Sequence, residues 1–412
     1  MKNTFRFISV LAAAGALLVS CEGPMGPPGT DGTDGKDVLS VCLQCHSTAN
    51  QNAKYDEYHL SKHYTGNTSA RNTKYCARCH TNEGFQEILG SGAFDPVAEI
   101  NNGTRINCET CHMHTSFEFT GDTVAQVLRT TAPVSLNYDN HTKTTDFGEI
   151  NNLCVNCHQI RGATAVSYID SEGKTQSFDQ LPFFPMDNTK DPLSTVKVQV
   201  GQSFSVHDGN QSNLFAGING FEYPGKTYTR TWKHSENNCT DCHMNEYNAD
   251  DQTGGHTLIV NEEACTACHN SDKLTPVQTT ISTKLEELAN LLISKKLYTK
   301  AMLHGRLSNV PVPSNDFFGV LFPGTESATT FGTEFVSANS IDPATGKIIY
   351  NNTVTISTDD DYALRLGREW KYGELGAAYN YEYISGDGSL GIHNPTYALQ
   401  LLQNSIDWLN AN

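Results

Sequence analysis

"INCETCHMHTS", residues Ile106–Ser116, carries Cys108, Cys111 and His112 in the order Cys-x-x-Cys-His, with a second histidine, His114, two residues further on. The same order recurs at Cys42/Cys45/His46, Cys76/Cys79/His80, Cys154/Cys157/His158, Cys239/Cys242/His243 and Cys265/Cys268/His269. These six copies use twelve of the thirteen cysteines, so composition alone does not explain the pattern. Two thiols separated by two residues can add to the two vinyl groups on one edge of a porphyrin. The next residue then projects under the ring, where its imidazole meets the iron. Zinc sites built from CxxC pairs do not require a histidine after every second cysteine. Six copies are also not the pattern of a thioredoxin-like redox disulfide. The spacing therefore predicts six covalently bound heme c groups, with the twelve motif cysteines as attachment points. His46, His80, His112, His158, His243 and His269 are the expected proximal iron ligands.

Counting then constrains the distal ligands. Fifteen histidines less six proximal ones leave His59, His63, His114, His141, His207, His234, His256, His304 and His393. Trans imidazoles place their Cα atoms roughly 12 Å apart, whereas two residues of chain reach at most about 7 Å. His114 therefore cannot close the iron held by His112 and is available only to a different heme, which would have to sit close by. His256 lies in "TGGHTL", where glycines allow a close backbone approach. His207 follows a strand-like run, and His234 precedes Cys239 by five residues. His59 and His63 share one helical face in "EYHLSKHYTG", and His63 is preferred. Local context favours His63, His114, His207, His234 and His256 as distal ligands, with His59, His141 and His304 in reserve.

The remaining composition bounds the setting. Lys2 and Arg6 form a short basic region before an apolar run, "FISVLAAAGALLV", too short to remain as a membrane span. "LVSC" then ends at Cys21, the one cysteine outside the motifs, and resembles a bacterial lipobox. Residues 1–20 are thus expected to be a lipoprotein signal peptide. Residues 21–37 would be the lipidated Cys21 and a stalk, "EGPMGPPGTDGTDGKD", with glycine at every third position as in collagen. An exported, lipid-anchored protein facing the periplasm or the cell surface follows, touching membrane through the anchor only. A net charge of −17 argues against nucleic acid as a partner. A trimer through the stalk, or a filament with histidines donated between subunits, is an open alternative to a single chain.

The hydrophobic fraction of 38% is low for a globular chain. Attached porphyrins would then have to supply much of the apolar core. Residues 38–270 read as the hexaheme-binding region, with short helices at each motif and long irregular loops. "IDSEGKTQSFDQLPFFPMDNTKDPL" reads as loop and "STVKVQVGQSFSV" as a strand. Residues 271–412 read as a helical region packing on the hemes. Here a leucine-spaced helix is expected to run up to a stop at Gly305. "GKIIYNNTVTIS" suggests a hairpin over Asn351-Asn352. A long helix is expected over "STDDDYALRLGREWKYGELGAAYNYEYIS" and a terminal one over "NPTYALQLLQNSIDWLN". The fold class is mainly α with extensive loops, organised around six packed hemes, with long C-terminal helices.

"YNYEYISGDGSLGIHNPTYALQLL" resembles the C-terminal segment of the ammonia-forming pentaheme nitrite reductases and related multiheme cytochromes. In that family a long helix ends in a Gly-rich turn, a histidine ligates a heme, and "NP" opens a final helix. The resemblance implicates Gly391, His393, Asn394 and Pro395. "NLCVNCHQIR", "NNCTDCHM" and "GGHTL" are similarly close to exported multiheme cytochromes, including the tetraheme c554 type. Catalytic members of the family keep one iron open, often with a CxxCK motif, which this chain lacks. Its histidines suffice to close every iron, and bis-His ligation lacks the potential-raising Met. The expected function is electron transfer through closely packed, low-potential hemes between redox-protein donors and acceptors, with no catalytic residue. A multiheme reductase of nitrite, hydroxylamine or a similar small oxyanion is the alternative, with Arg161 beside a motif as a residue to examine.

Overall fold

The computed structural model describes residues 46–66, 69–113, 118–120, 123–125, 128–136, 144–160, 166–169, 175–177, 187–200, 206, 209–230, 233–266, 269, 274–295, 297, 341–342, 347–350, 354–357 and 368–412. The chain divides into two units, Met1–Gln51 with Glu118–Ala125, and Asn52–Phe117 with Gln126–Asn412. Helices carry most of the regular structure, strands are short, and no barrel forms among the described residues. No described helix is long and apolar enough to cross a membrane.

The first half is built of short elements. Helix α1 (Thr48–Leu60) is followed by α2 (Lys62–Thr65), whose start is fixed by Ser61 Oγ accepting from Tyr64 N. Helix α3 (Ala77–His80) leads through Thr81 into α4 (Asn82–Ser91); Thr81 Oγ1 caps α4 by accepting from Gly84 N at 3.0 Å. Helix α5 (Cys108–Cys111) starts at Asn107, whose Oδ1 accepts from Glu109 N while Thr110 Oγ1 accepts from Asn107 N. In the first unit β1 (Glu118–Thr120) pairs antiparallel with β2 (Thr123–Ala125). In the second, β3 (Val134–Ser135) pairs with β4 (Thr144–Thr145) ahead of α6 (Glu149–Val155). The apolar clusters here are small: Phe85, Ile88 and Leu153 in one, Val134, Leu136 and Val155 in the other.

Strands β5 (Val166–Ile169), β6 (Thr175–Ser177) and β7 (Thr195–Val200) form the core of a four-stranded antiparallel sheet. Alternating β-branched residues in "TVKVQV" suit β7 to this role. Ile169 and Thr175–Ser177 are therefore strand rather than the expected loop, because β5 finds partners on both sides. The short helices α7 (Gln211–Phe215), α8 (Cys239–His243) and α9 (Glu263–Thr266) follow.

The main apolar core lies further on. Helix α10 (Leu274–Ser294) buries Ile281, Leu285, Leu288, Ala289 and Leu292, a stripe at helical spacing. The helix ends at Ser294; Gly305 lies outside the described residues. After β8 (Ile341–Asp342), strands β9 (Lys347–Tyr350) and β10 (Val354–Ser357) pair as the expected hairpin, its turn lying outside the described residues. The long helix expected from Ser357 onward is corrected by the structure. Ser357 ends β10, and Arg368–Lys371 forms β11, paired with β7 with Trp370 opposite Val196. Helix α11 (Tyr372–Asp387) starts only where Glu374 Oε2 accepts from Lys371 N at 2.9 Å. It is buried nearly all round, which makes it the central helix. Helix α12 (Pro395–Ala411) opens as expected, with Pro395 in its first turn and Asn394 Oδ1 accepting from Tyr397 N.

Polar bonds inside this core fix segment 218–221 on α11. Asn380, fully buried, donates to Phe221 O and accepts from Phe221 N, as a strand partner would. The Tyr379 and Tyr383 hydroxyls donate to Asn219 O and Ile218 O, each at 2.6 Å. Gly376 lets the Phe221 ring lie directly on the helix backbone.

Candidate heme-binding site

In the second, third and fifth motifs the two cysteines, three residues apart, lie on a single helical turn and so on one face, whereas in the fourth Cys154 lies in the last turn of α6 and Cys157 just beyond its end. The histidine amide donates to the carbonyl of the first cysteine at 3.1 Å for His80, 2.9 Å for His112, 2.9 Å for His158 and 2.8 Å for His269. The fifth motif is helix α8 itself. No disulfide joins the described cysteines. Burial pushes the Cys111 thiol up to about 12, so as a free thiol it would stay protonated.

Four of the motif histidines each face a histidine from outside the motifs. The ring centroids are 6.1 Å apart for His158 and His63, 6.2 Å for His112 and His256, 6.1 Å for His269 and His234, and 6.3 Å for His243 and His393. A direct imidazole–imidazole hydrogen bond would hold the centroids no more than about 5.6 Å apart. Two metal–nitrogen bonds of about 2 Å place them about 6.3 Å apart. The four separations thus fit an iron between each pair. The two ring planes of trans ligands share the nitrogen–metal axis but can rotate about it, so the observed interplanar angles of 33° to 64° are compatible. Among the described residues no group of three or more His, Cys, Asp or Glu comes together as a metal site.

The facing histidines sit on diverse supports. His63 is on α2, and burial with the facing His158 lowers it to about 4. His234 lies in the 3-10 turn Lys233–Glu236 and is lowered by burial and then by His269. His256 lies in the 3-10 turn Gly255–Thr257. Gly254 and Gly255 both have positive φ, and a side chain on them would strike Glu246 O and Glu57 respectively. The glycines of "TGGHTL" therefore let backbone approach a buried glutamate. Glu57 Oε2 accepts from His256 N at 2.9 Å and stands 3.5 Å from its Nδ1. His393 is in the turn between α11 and α12, after Gly388 and Gly391, both left-handed. Burial lowers His158, His243 and His256, keeping these imidazoles neutral, the form that binds metal. His393 is the exception: burial works against its charge, but Asp387 outweighs it and raises the value.

Several supporting groups carry no signal in the sequence. His158 Nδ1 is 3.0 Å from Gln211 Oε1, and His243 Nδ1 is 3.0 Å from Leu258 O. His393 Nδ1 is 2.6 Å from Asp387 Oδ1. The motifs also converge on one another. Cys157 of the fourth motif meets Cys79 of the second, and Cys154 meets Cys239 of the fifth. Cys242 feels the charge of Cys265 in the sixth.

Not every expected ligand falls into a pair. His46 is exposed, and neither it nor His80 belongs to the four pairs. His59, held in reserve beside His63, has a buried Nε2 with no hydrogen-bond partner and lies among Tyr55, Tyr58 and Tyr64. Such an orphaned nitrogen calls for a partner. Cys21, Cys42, Cys45, Cys268, His114, His141, His207, His304 and Arg161 lie outside the described residues. No protein-family model matches this chain, and no curated protein matches it.

Proposed function

We propose that this chain is an exported, lipid-anchored multiheme c-type cytochrome that moves electrons through six covalently attached hemes at the cell envelope. The observation that carries the reading is the set of four imidazole pairs at 6.1 to 6.3 Å, each joining a CxxCH histidine to one from elsewhere. The motif cysteines would hold the groups, and the paired histidines would hold the irons from both sides. Heme c supplies a one-electron iron couple. The chain's own contribution is to hold the facing histidines in place, keep the buried His158, His243 and His256 imidazoles neutral and bring the attachment points together. Groups attached at Cys157 and Cys79, or at Cys154 and Cys239, would begin within contact of one another. That packing favours passage of electrons over isolated cofactors.

Four irons closed on both sides favour a carrier over a reductase, which needs an open position. Export and anchoring rest on residues 1–21, and donors and acceptors are other redox proteins. Purified protein tests the reading. Six hemes by mass, low-spin ferric EPR signals and low potentials in a redox titration are expected. An abundant high-spin signal in intact protein, or a mass without heme, would overturn it.

A further inference from the structure

Resting on the heme reading above, we infer that Asp387 is a potential-setting residue: it makes the iron position between His243 and His393 harder to reduce than the neighbouring one between His63 and His158. A metal-bound imidazole donates through its other nitrogen to a supporting group, and that group's charge sets how strongly the ligating nitrogen gives electrons. A neutral acceptor leaves the ring an ordinary imidazole. A carboxylate draws the proton toward itself and gives the ring part of an imidazolate's charge, which stabilises ferric over ferrous iron.

The structure places these two kinds of partner side by side. His158 Nδ1 meets an amide oxygen, Gln211 Oε1, at 3.0 Å. His393 Nδ1 meets the carboxylate Asp387 Oδ1 at 2.6 Å, a length typical of a charge-assisted bond. Opposite His393, His243 has a neutral partner, the Leu258 carbonyl. The Asp387 side chain is fully buried. Its second oxygen accepts from Ser389 N at 3.1 Å and from the Ser389 hydroxyl, so the anion is held in place by the turn that also carries His393. Burial matters because a charge in a medium of low dielectric acts more strongly on its neighbour than one in water. The two supports are also linked: Gln211 Nε2 donates to Asp387 O at 2.9 Å. The amide beside His158 is thus anchored to the main chain of the residue whose carboxylate meets His393. An electron arriving at this pair of positions would rest on the His158 side.

The test uses the full-length holoprotein and two substitutions that exchange amide and carboxylate. In Asp387→Asn one midpoint potential is expected to rise by at least a tenfold change in the reduction equilibrium, about 59 mV for one electron, with the others in place. In Gln211→Glu a different midpoint is expected to fall. Redox titration followed by low-temperature EPR reads both, and intact mass gives the heme count. An unchanged set of midpoints in Asp387→Asn at full heme content overturns the inference. If that variant is not secreted with its hemes, an unchanged set in Gln211→Glu overturns it instead. Wild-type protein lacking hemes would sink the underlying reading, an outcome distinct from either.

Discussion

Replacing His63 by alanine isolates one pair and tests the geometry of all four. His63 and His158 stand 6.1 Å apart between ring centroids, so the midpoint lies about 3 Å from each. Removing the His63 ring opens one side of that position and leaves the His158 side unchanged. On the six-heme reading one of six irons should then become five-coordinate, so about one sixth of the ferric EPR intensity should move from low spin to high spin. After reduction, the same site should bind one carbon monoxide per chain, read from the optical difference spectrum against a pyridine hemochrome count. His63 sits on the four-residue helix α2, so its loss removes little packing from the main core. If His63→Ala keeps six hemes, shows no new high-spin iron and binds no carbon monoxide, the pairing of His63 with His158 is wrong. The inference from centroid separation would then fail for the other three pairs as well.

Arg78 is 3% exposed and lies inside the second motif. It donates to Phe94 O at 3.0 Å and Asn156 O at 3.1 Å, and its guanidinium covers the Phe94 ring at 3.6 Å. Arg78→Met should cost about 2–4 kcal/mol in a denaturant melt, since bonds from charged donors contribute about 1.5–3 kcal/mol each. Gly376→Ala would push a methyl into the Phe221 ring. It should destabilise by about 1–3 kcal/mol or more, seen as a lowered thermal midpoint, and a neutral result would mean that Phe221 does not lie on α11. The Glu57 carboxyl is lowered from its ordinary 4.5: burial raises it, but bonds from the His256 amide and Lys54 together outweigh that. Its contribution to stability is therefore complete above about pH 4.5 and is lost as pH falls through the lower folded value. Glu57→Gln should flatten that acid limb in melts between pH 3 and 6, and an identical slope in the variant would refute the assignment.

What the sequence makes legible here is what is local. The CxxCH turns are read at sight because their spacing and local geometry are set within five residues. Helix α12 is equally open, since Asn394, Pro395 and a leucine stripe announce its start and its face. Distal partners are a different matter. His256 pairs with His112 and His63 with His158 across long stretches of chain, and although local context singled out His63 and His256, nothing in it said which motif each faces. The strand Arg368–Lys371 was hidden for the same reason. Its partner, Thr195–Val198, is far away in sequence, and its own residues blend into a helix-like run. Asp387 and Gln211 had no signal at all, because an acid in a glycine turn and a glutamine after an asparagine are ordinary loop chemistry.

The C-terminal core also fixes the groups that support two of the paired histidines. Tyr379, Asn380 and Tyr383 of α11 grip segment 218–221, and Tyr383 O accepts from Asn210 at the start of α7. Helix α7 then presents Gln211 to His158, while the far end of α11 presents Asp387 to His393. One rigid helix therefore sets two supports at once. The pairs His112–His256 and His234–His269 instead rest on short turns and on Glu57. Rigid placement matters most where two neighbouring positions must differ by a fixed amount, since a shift of either support would erase the difference. Helix α11 is thus part of the frame that holds an amide and a carboxylate in their separate places.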